Sequence, residues 1–136
     1  MIQRFSLLFV LLLSCAIAFC QIPLDQFKIT SSYTSFPDTG RANGHLYQNV
    51  LYDAGNHYSD SSVIIITRKN FVPKKKVDMI FWFHGWNNNI DTALIEYGLS
   101  RQFAEANVNA VLVLAETAKN SPDSYGGKLE QKKYLS

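Results

Sequence analysis

The sequence predicts an α/β fold with a mixed sheet, and three observations support this prediction. Apolar runs at residues 63–66, 79–83 and 110–115 lack polar alternation, which is typical of strands buried on both faces. A lysine-rich connector without helical periodicity separates the first run from the second, and a segment with helical spacing separates the second from the third. We therefore expect an antiparallel hairpin followed by a strand–helix–strand crossover.

Residues 1–20 have the three-part pattern of a secretory signal peptide. Arg4 supplies the basic start, an apolar run follows, and small side chains fill much of residues 14–20. The apolar stretch of about 15 residues is shorter than the ~20 that a membrane-spanning helix needs, so no permanent membrane span is expected. We expect a secreted or periplasmic protein.

Cleavage of this signal peptide is expected after Cys20, because Ala18 and Cys20 place small side chains where the peptidase requires them. The alternative is a lipoprotein in which Cys15 carries the lipid, although the hydrophobic residues 16–19 would make a poor exposed tether. Cleavage after Cys20 removes both cysteines of the chain, so neither a disulfide nor thiolate chemistry is expected.

The charge balance gives no indication of a polyanionic partner. The formal net charge is +2, and removal of Arg4 with the signal peptide lowers it to +1. This balance implies neither nucleic acid nor an anionic membrane as a partner. The three histidines, His45, His57 and His84, share no short spacing, so no metal ligands and no cofactor are expected.

Residues 21–62 are rich in polar and turn-forming residues, and their apolar residues are scattered. This composition predicts an irregular segment with loops and short edge strands. Residues 63–136 form the predicted α/β unit. The connector at residues 68–78 contains Pro73 and three successive lysines, which predicts an exposed hairpin loop between antiparallel strands.

The second apolar run contains Phe81, Trp82 and Phe83, which are expected to pack in the core. Between this run and the third, residues 90–107 predict one amphipathic helix, because apolar side chains recur at helical spacing. Asn89 or Asp91 can cap the start of this helix, and Asn107 can adopt the left-handed conformation that ends it. The apolar positions are Ile95, Leu99, Phe103 and Ala106.

Residues after 115 form a polar stretch and a charged tail without a further buried strand. A sheet of three buried strands would leave two open edges, so we expect the α/β unit to be incomplete. Glu116 follows the third run directly and can orient a loop by hydrogen bonding.

The segment His84-Gly85-Trp86-Asn87 follows the most apolar run. Ligands bind at the carboxyl ends of strands in α/β sheets, where backbone N–H donors are available and can stabilise an oxyanion. His84 can instead be a structural histidine whose ring hydrogen-bonds a loop backbone. Trp86 can pack at the rim or contact a substrate.

Residues 63–114 resemble the early half of the α/β-hydrolase fold, in which a buried strand ends in His-Gly and the following backbone N–H contributes to the oxyanion hole. The resemblance implies that the N–H of Trp86 or Asn87 is the donor. His84 and Gly85 would shape the loop, and Gly85 would permit close approach. The family's Gly-x-Ser-x-Gly elbow is not in the sequence, and the acid and histidine that follow the elbow in the family are therefore missing too.

Our leading hypothesis is an N-terminal fragment of an exported serine esterase or lipase that acts on a small-molecule or polymer ester. The chain as given would be inactive, because the nucleophile is absent. The alternative hypothesis is a complete small secreted binding module without catalysis, whose loop at residues 84–89 recognises a ligand such as a carbohydrate.

Overall fold

The computed structural model describes residues 23–131. The signal peptide, its cleavage after Cys20 and the alternative lipid attachment at Cys15 lie outside the described residues. In the described part, no helix is long and apolar enough to cross a membrane. Two 3₁₀ helices lie at Thr39–Arg41 and Gly127–Glu130. The strands and α-helices, in chain order, are β1 Leu24–Thr30, β2 His45–Tyr47, β3 Val50–Tyr52, α1 Ala54–His57, β4 Ser62–Arg68, β5 Asp78–Trp82, α2 Ile90–Glu96, α3 Leu99–Ala106 and β6 Ala110–Ala115.

Among residues 23–131, the main sheet has four strands in the order β1-β4-β6-β5. β4 is antiparallel to both β1 and β6, whereas β5 and β6 are parallel neighbours. The predicted α/β-type mixed sheet is therefore confirmed. β1 pairs with β4 along its whole length and forms one edge of the sheet. A separate two-stranded hairpin is formed by β2 and β3.

The predicted hairpin between the first two apolar runs is wrong. β6 lies between β4 and β5, so these two strands are not hydrogen-bonded to each other. The burial of the strands gives the physical reason. β4 and β6 carry the most buried side chains and occupy the two central positions of the sheet, where both faces of a strand can be covered. The connector at residues 68–78 instead leads to the far edge.

β5 is an edge strand, and the prediction that it is buried on both faces is wrong. Met79, Ile80 and Phe81 expose between 42% and 57% of their surface. Phe83 is also exposed, so core packing is confirmed only for Trp82, which is half-buried against the main core. An uninterrupted apolar run predicts that both faces of a strand are buried, but within residues 23–131 the side chains of β5 remain largely exposed.

The crossover from β5 to β6 contains two helices rather than the predicted one. α2 and α3 are separated at Gly98, which has φ of +57° in the left-handed region that favours glycine. Ile95 is 80% exposed and Ala106 is exposed as well, so the assignment of these two residues to the apolar face is wrong. Asn89 caps α2 by accepting the Thr92 N–H at 2.9 Å, and Asn107 ends α3 with φ of +53°, as predicted.

Two groups of buried side chains hold the fold together. The larger lies between the sheet and the crossover helices, and burying each of its isoleucines and leucines stabilises the fold by about 1.5–3 kcal/mol. The smaller comprises Phe36, Tyr58 and Ala118, with Tyr52 and Tyr125 packed against it. The larger contains Ile64, Ile66, Ile90, Phe103, Ala110, Leu112 and Leu114.

Candidate functional site

The candidate site begins with a contact between His84 and Glu116. Trp82 of β5 is in register with Leu114 of β6, so the residues two positions further along each parallel strand come side by side. His84 Nε2 lies 2.5 Å from Glu116 Oε1. The side chains are 1% and 0% exposed, respectively. The structure thus pairs a residue of the predicted site with one to which the sequence assigned only a loop-orienting role.

Both ring nitrogens of His84 face acceptors. Nδ1 lies 2.8 Å from the Gly85 carbonyl oxygen, and Nε2 lies close to the Glu116 carboxylate and 2.8 Å from the Thr117 hydroxyl. Burial disfavours the charged ring, but the hydrogen bonds to Glu116 and Gly85 outweigh burial and raise the pKa of His84 above its ordinary value. His84 therefore offers no free nitrogen that could act as a general base on a ligand.

Glu116 connects three segments of the chain. Besides His84, its carboxylate accepts the backbone N–H of Ile90 at the start of α2 and that of Thr117, both at 3.3 Å. The loop-orienting role expected of this side chain is visible in these contacts. A buried carboxylate is tolerated only when its oxygens are hydrogen-bonded, and this arrangement provides donors to both oxygens.

The loop at residues 84–89, here called the His84 loop, is also held by backbone contacts. The Asn87 N–H donates to the Ser121 carbonyl at 3.0 Å, and the Asn120 N–H donates to the Asn88 carbonyl at 2.7 Å. Asn87 has φ of +54°, which asparagine tolerates better than most residues. The polar stretch after β6 therefore holds the His84 loop through backbone hydrogen bonds, a role that its sequence did not indicate.

The structure distinguishes between the two predicted oxyanion donors. The Asn87 N–H is already engaged with Ser121, whereas the Trp86 N–H makes no hydrogen bond within residues 23–131. Of the two alternatives, the geometry favours Trp86. A Cβ atom built on Gly85 would meet nothing within 4 Å, so the backbone at this position borders open space.

This open space is a cleft of about 320 Å³ beside the His84 loop. Phe83, His84, Gly85 and Trp86 line one wall, and the segment around Tyr125 lines the opposite wall. Trp86 is half exposed and packs edge-on against Tyr47 of the β2–β3 hairpin, with ring centroids 5.7 Å apart. The cleft therefore combines a residue whose backbone N–H is free with several aromatic side chains, a combination that suits a small neutral ligand.

The second wall of the cleft is fixed by a network that sequence reasoning missed. Asp123 accepts two hydrogen bonds from Arg41, and the Tyr125 hydroxyl donates to Asp38 at 2.8 Å. The Arg41 guanidinium also lies over the Tyr125 ring, 4.5 Å from its centroid. By composition alone, Tyr125-Gly126-Gly127 is typical of a flexible turn. The sequence carried no signal that residues so far apart would meet.

The other histidines lie outside this site. His57 Nδ1 contacts the Lys119 carbonyl oxygen at 2.8 Å, and the His45 ring packs beside Tyr47. Within residues 23–131, no group of three histidine, cysteine or acidic side chains is arranged to hold a metal ion. Ser124 is exposed and lines the cleft. His84 lines the same cleft, but both of its ring nitrogens are already engaged, one with the Gly85 carbonyl and the other with Glu116.

Comparisons of this chain with protein-family models, with curated proteins and with solved structures find no match.

Proposed function

We propose that this chain supplies the oxyanion-stabilising side of an exported α/β-hydrolase-like acyl hydrolase of the esterase or lipase type. One observation carries the proposal: Trp86, directly after the His-Gly at the carboxyl end of β5, lines a cleft, and its backbone N–H makes no hydrogen bond within residues 23–131. In acyl transfer, such a donor stabilises the tetrahedral oxyanion, and loss of one donor typically lowers kcat by about 10²–10³.

The exposed edge of β5 supports the proposal that the four-stranded sheet is part of a larger catalytic sheet. One side of β5 is hydrogen-bonded to β6, and its other side has no strand partner among residues 23–131. Met79 and Phe81 also leave large apolar surfaces uncovered. A further strand along this edge would satisfy the backbone and cover these side chains. In the family, the nucleophile elbow follows the next strand along the chain, so a further strand of this kind would lead towards it.

The first test is to sequence the gene past the codon for Ser136. The proposal expects an open reading frame that continues to a strand and a Gly-x-Ser-x-Gly elbow. The extended protein should hydrolyse a short-chain ester, and replacement of the elbow serine by alanine should abolish that activity. Activity that persists in the serine variant would rule out the proposed mechanism.

The backbone donor can be tested in the same extended protein. Trp86→Pro removes the N–H and should lower kcat by about 10²–10³. Trp86→Phe keeps the N–H, so its kcat should fall much less, and the main effect should be a higher KM. Equal losses of kcat in the two variants would show that the indole ring, rather than the backbone, is what matters at this position.

The alternative function is a complete secreted binding module without catalysis. The exposed Trp86 ring, set edge-on against Tyr47 beside the cleft, favours it, because aromatic faces at a cleft suit ligands such as carbohydrates. A complete module should unfold in one sharp thermal transition, and its tryptophan fluorescence should change on titration with oligosaccharides. An incomplete sheet should instead aggregate through its open edge or behave as a molten globule.

A further inference from the structure

We infer that Glu116 positions the His84 loop through a single proton that it shares with His84. Glu116 itself lies at the end of β6 and is not part of this loop. The inference rests on the proposed function for what the loop does, because the Trp86 N–H belongs to it. The positioning itself rests only on contacts among the described residues.

The proton count follows from the geometry of the pair. Nδ1 of His84 faces the Gly85 carbonyl, which can only accept, so this nitrogen carries a hydrogen in the observed arrangement. The 2.5 Å separation between Nε2 and Glu116 Oε1 also requires one hydrogen between these two atoms. The observed contacts are therefore satisfied by an imidazolium paired with a carboxylate.

Loss of this proton leaves one N–H for two acceptors. The neutral ring can donate to the Gly85 carbonyl or to Glu116, but not to both. In the first case a nitrogen lone pair faces a buried carboxylate, and in the second it faces a carbonyl. Either conflict is relieved by movement of the loop backbone at Gly85, where a Cβ atom would meet nothing within 4 Å. The position of the following Trp86 N–H therefore depends on the proton.

The other groups around the pair do not replace this proton. The Thr117 hydroxyl lies 2.8 Å from Nε2, and the N–H groups of Ile90 and Thr117 are donated to Glu116. The pKa of Lys119 is raised mainly by its hydrogen bond to Asp60, and to a smaller extent by the charges of Glu116 and Asp91. In the neutral ring the Thr117 hydroxyl can donate to Nε2, but the Glu116 carboxylate oxygen would still face the Nε2 lone pair at 2.5 Å, so this hydroxyl does not replace the shared proton.

The direction of the pH dependence follows from the raised pKa of His84. The imidazolium contributes its full stabilisation below about 6.5, the ordinary pKa of histidine. This contribution is lost as the pH rises through the higher pKa in the folded protein. The ordered loop is therefore the low-pH form, and the loop loosens as the pH rises through the raised pKa of His84.

Nuclear magnetic resonance of the full chain labelled with ¹⁵N tests the inference without any ligand. Long-range ¹H–¹⁵N spectra of the imidazoles should show both His84 nitrogens still protonated above a pH of about 6.5, the ordinary pKa of histidine. The backbone amide of Trp86 should shift with the same pH midpoint as the His84 ring. Titration of His84 at or below the ordinary histidine value, or a Trp86 amide that ignores the titration, would overturn the inference.

Two variants separate positioning from a general effect on folding. Glu116→Gln removes the charge and should move the His84 midpoint to lower pH, with the Trp86 amide following it. Glu105→Gln, at an exposed position of α3, should leave both midpoints unchanged. Should Glu116→Gln fail to fold, Thr117→Val tests the same pair. It removes only the hydroxyl at Nε2, so the Trp86 amide should still shift together with the ring, and loss of that coupling would overturn the inference.

The coupled titration of His84 and the Trp86 amide can be measured whether or not an extended protein hydrolyses esters. A coupled titration without any esterase activity would refute the proposed function and retain Glu116 as the positioning residue. Esterase activity without a coupled titration would do the reverse.

Discussion

Arg41 and Asp123 form a two-point ion pair across 82 residues of sequence: Nε lies 2.5 Å from Oδ2, and Nη2 lies 3.1 Å from Oδ1. The Asp123 side chain is only 5% exposed. Burial disfavours its charge, but the hydrogen bonds from Arg41 outweigh burial and lower the pKa of Asp123. This pair links the segment before β2 to the segment after β6, and so holds the second wall of the cleft against the fold.

The first prediction concerns this ion pair. Arg41→Lys keeps the charge but cannot reproduce the planar two-point contact, so the free energy of unfolding should fall by about 1.5–3 kcal/mol. Arg101→Lys is the matched control, because Arg101 and Glu105 are highly exposed and 3.9 Å apart, and it should change stability by less than about 0.5 kcal/mol. Urea unfolding monitored by fluorescence compares the two. Equal losses would show that the two-point contact has no special weight.

The second prediction concerns Gly127, which has φ of +58°. A Cβ atom there would lie 2.2 Å from the Ser35 carbonyl oxygen, so Gly127→Ala combines backbone strain with a clash against backbone. We expect the free energy of unfolding to fall by more than about 2 kcal/mol. Gly85→Ala meets no atom within 4 Å and should cost much less. Thermal unfolding followed by circular dichroism measures both, and a stable Gly127→Ala protein would contradict the described contact with Ser35.

The third prediction concerns acid stability. Burial disfavours the charge of Asp60, but hydrogen bonds from Lys119 and Ser62 lower its pKa to about 2. Because the folded pKa lies below the ordinary value, the stabilisation is present above about pH 4 and is lost as the pH falls towards 2. Its full size is at most about 2–3 kcal/mol, because the pKa falls from 3.8 to about 2 and one unit of pKa corresponds to about 1.4 kcal/mol.

Asp60→Asn should therefore lower stability at pH 6 and flatten the dependence of unfolding on pH between 4 and 2. Asp91→Asn is the control, because Asp91 pairs with Lys28 at an exposed position and should change this dependence little. Urea midpoints at several pH values provide the measurement. Parallel acid profiles for the wild type and Asp60→Asn would show that another group carries the acid sensitivity.

The fourth prediction concerns the open edge of the sheet. Phe81 is 57% exposed on β5, so Phe81→Lys should reduce association of the chain at micromolar concentration while changing the stability of the monomer little. Ile95→Lys makes the same change from an apolar to a charged side chain at an exposed position of α2 rather than on the edge strand, and should leave association unchanged. Sedimentation velocity reports the effect. If association persists in Phe81→Lys but is lost in Ile95→Lys, the surface that mediates association lies on the helices.

Local signals in the sequence identified several elements correctly. The three apolar runs correspond to β4, β5 and β6, and the residues between the last two form the helical crossover. Asn89 caps a helix and Asn107 ends one, as their side chains suggested. These features depend on residues within one turn or one strand, and such short-range preferences are readable without knowledge of the partners. The signal peptide, the hydrolase resemblance and the oxyanion role remain predictions.

The order of the strands, the exposure of β5 and the pairing of His84 with Glu116 depended on the tertiary structure. Apolar composition predicts that a strand is buried, but it does not say which strand lies beside it. In the predicted hairpin β5 would pair with β4, whereas in the structure β6 pairs with β4 and β5 lies at the edge. Gly98 was a visible signal for the break between α2 and α3, whereas no local pattern links Arg41 to Asp123. The sequence by itself determined the three apolar strands, the helical nature of the crossover, and the residues that cap and end it. The tertiary structure decided their neighbours, because hydrogen bonds and burial between distant segments depend on which of them meet in space.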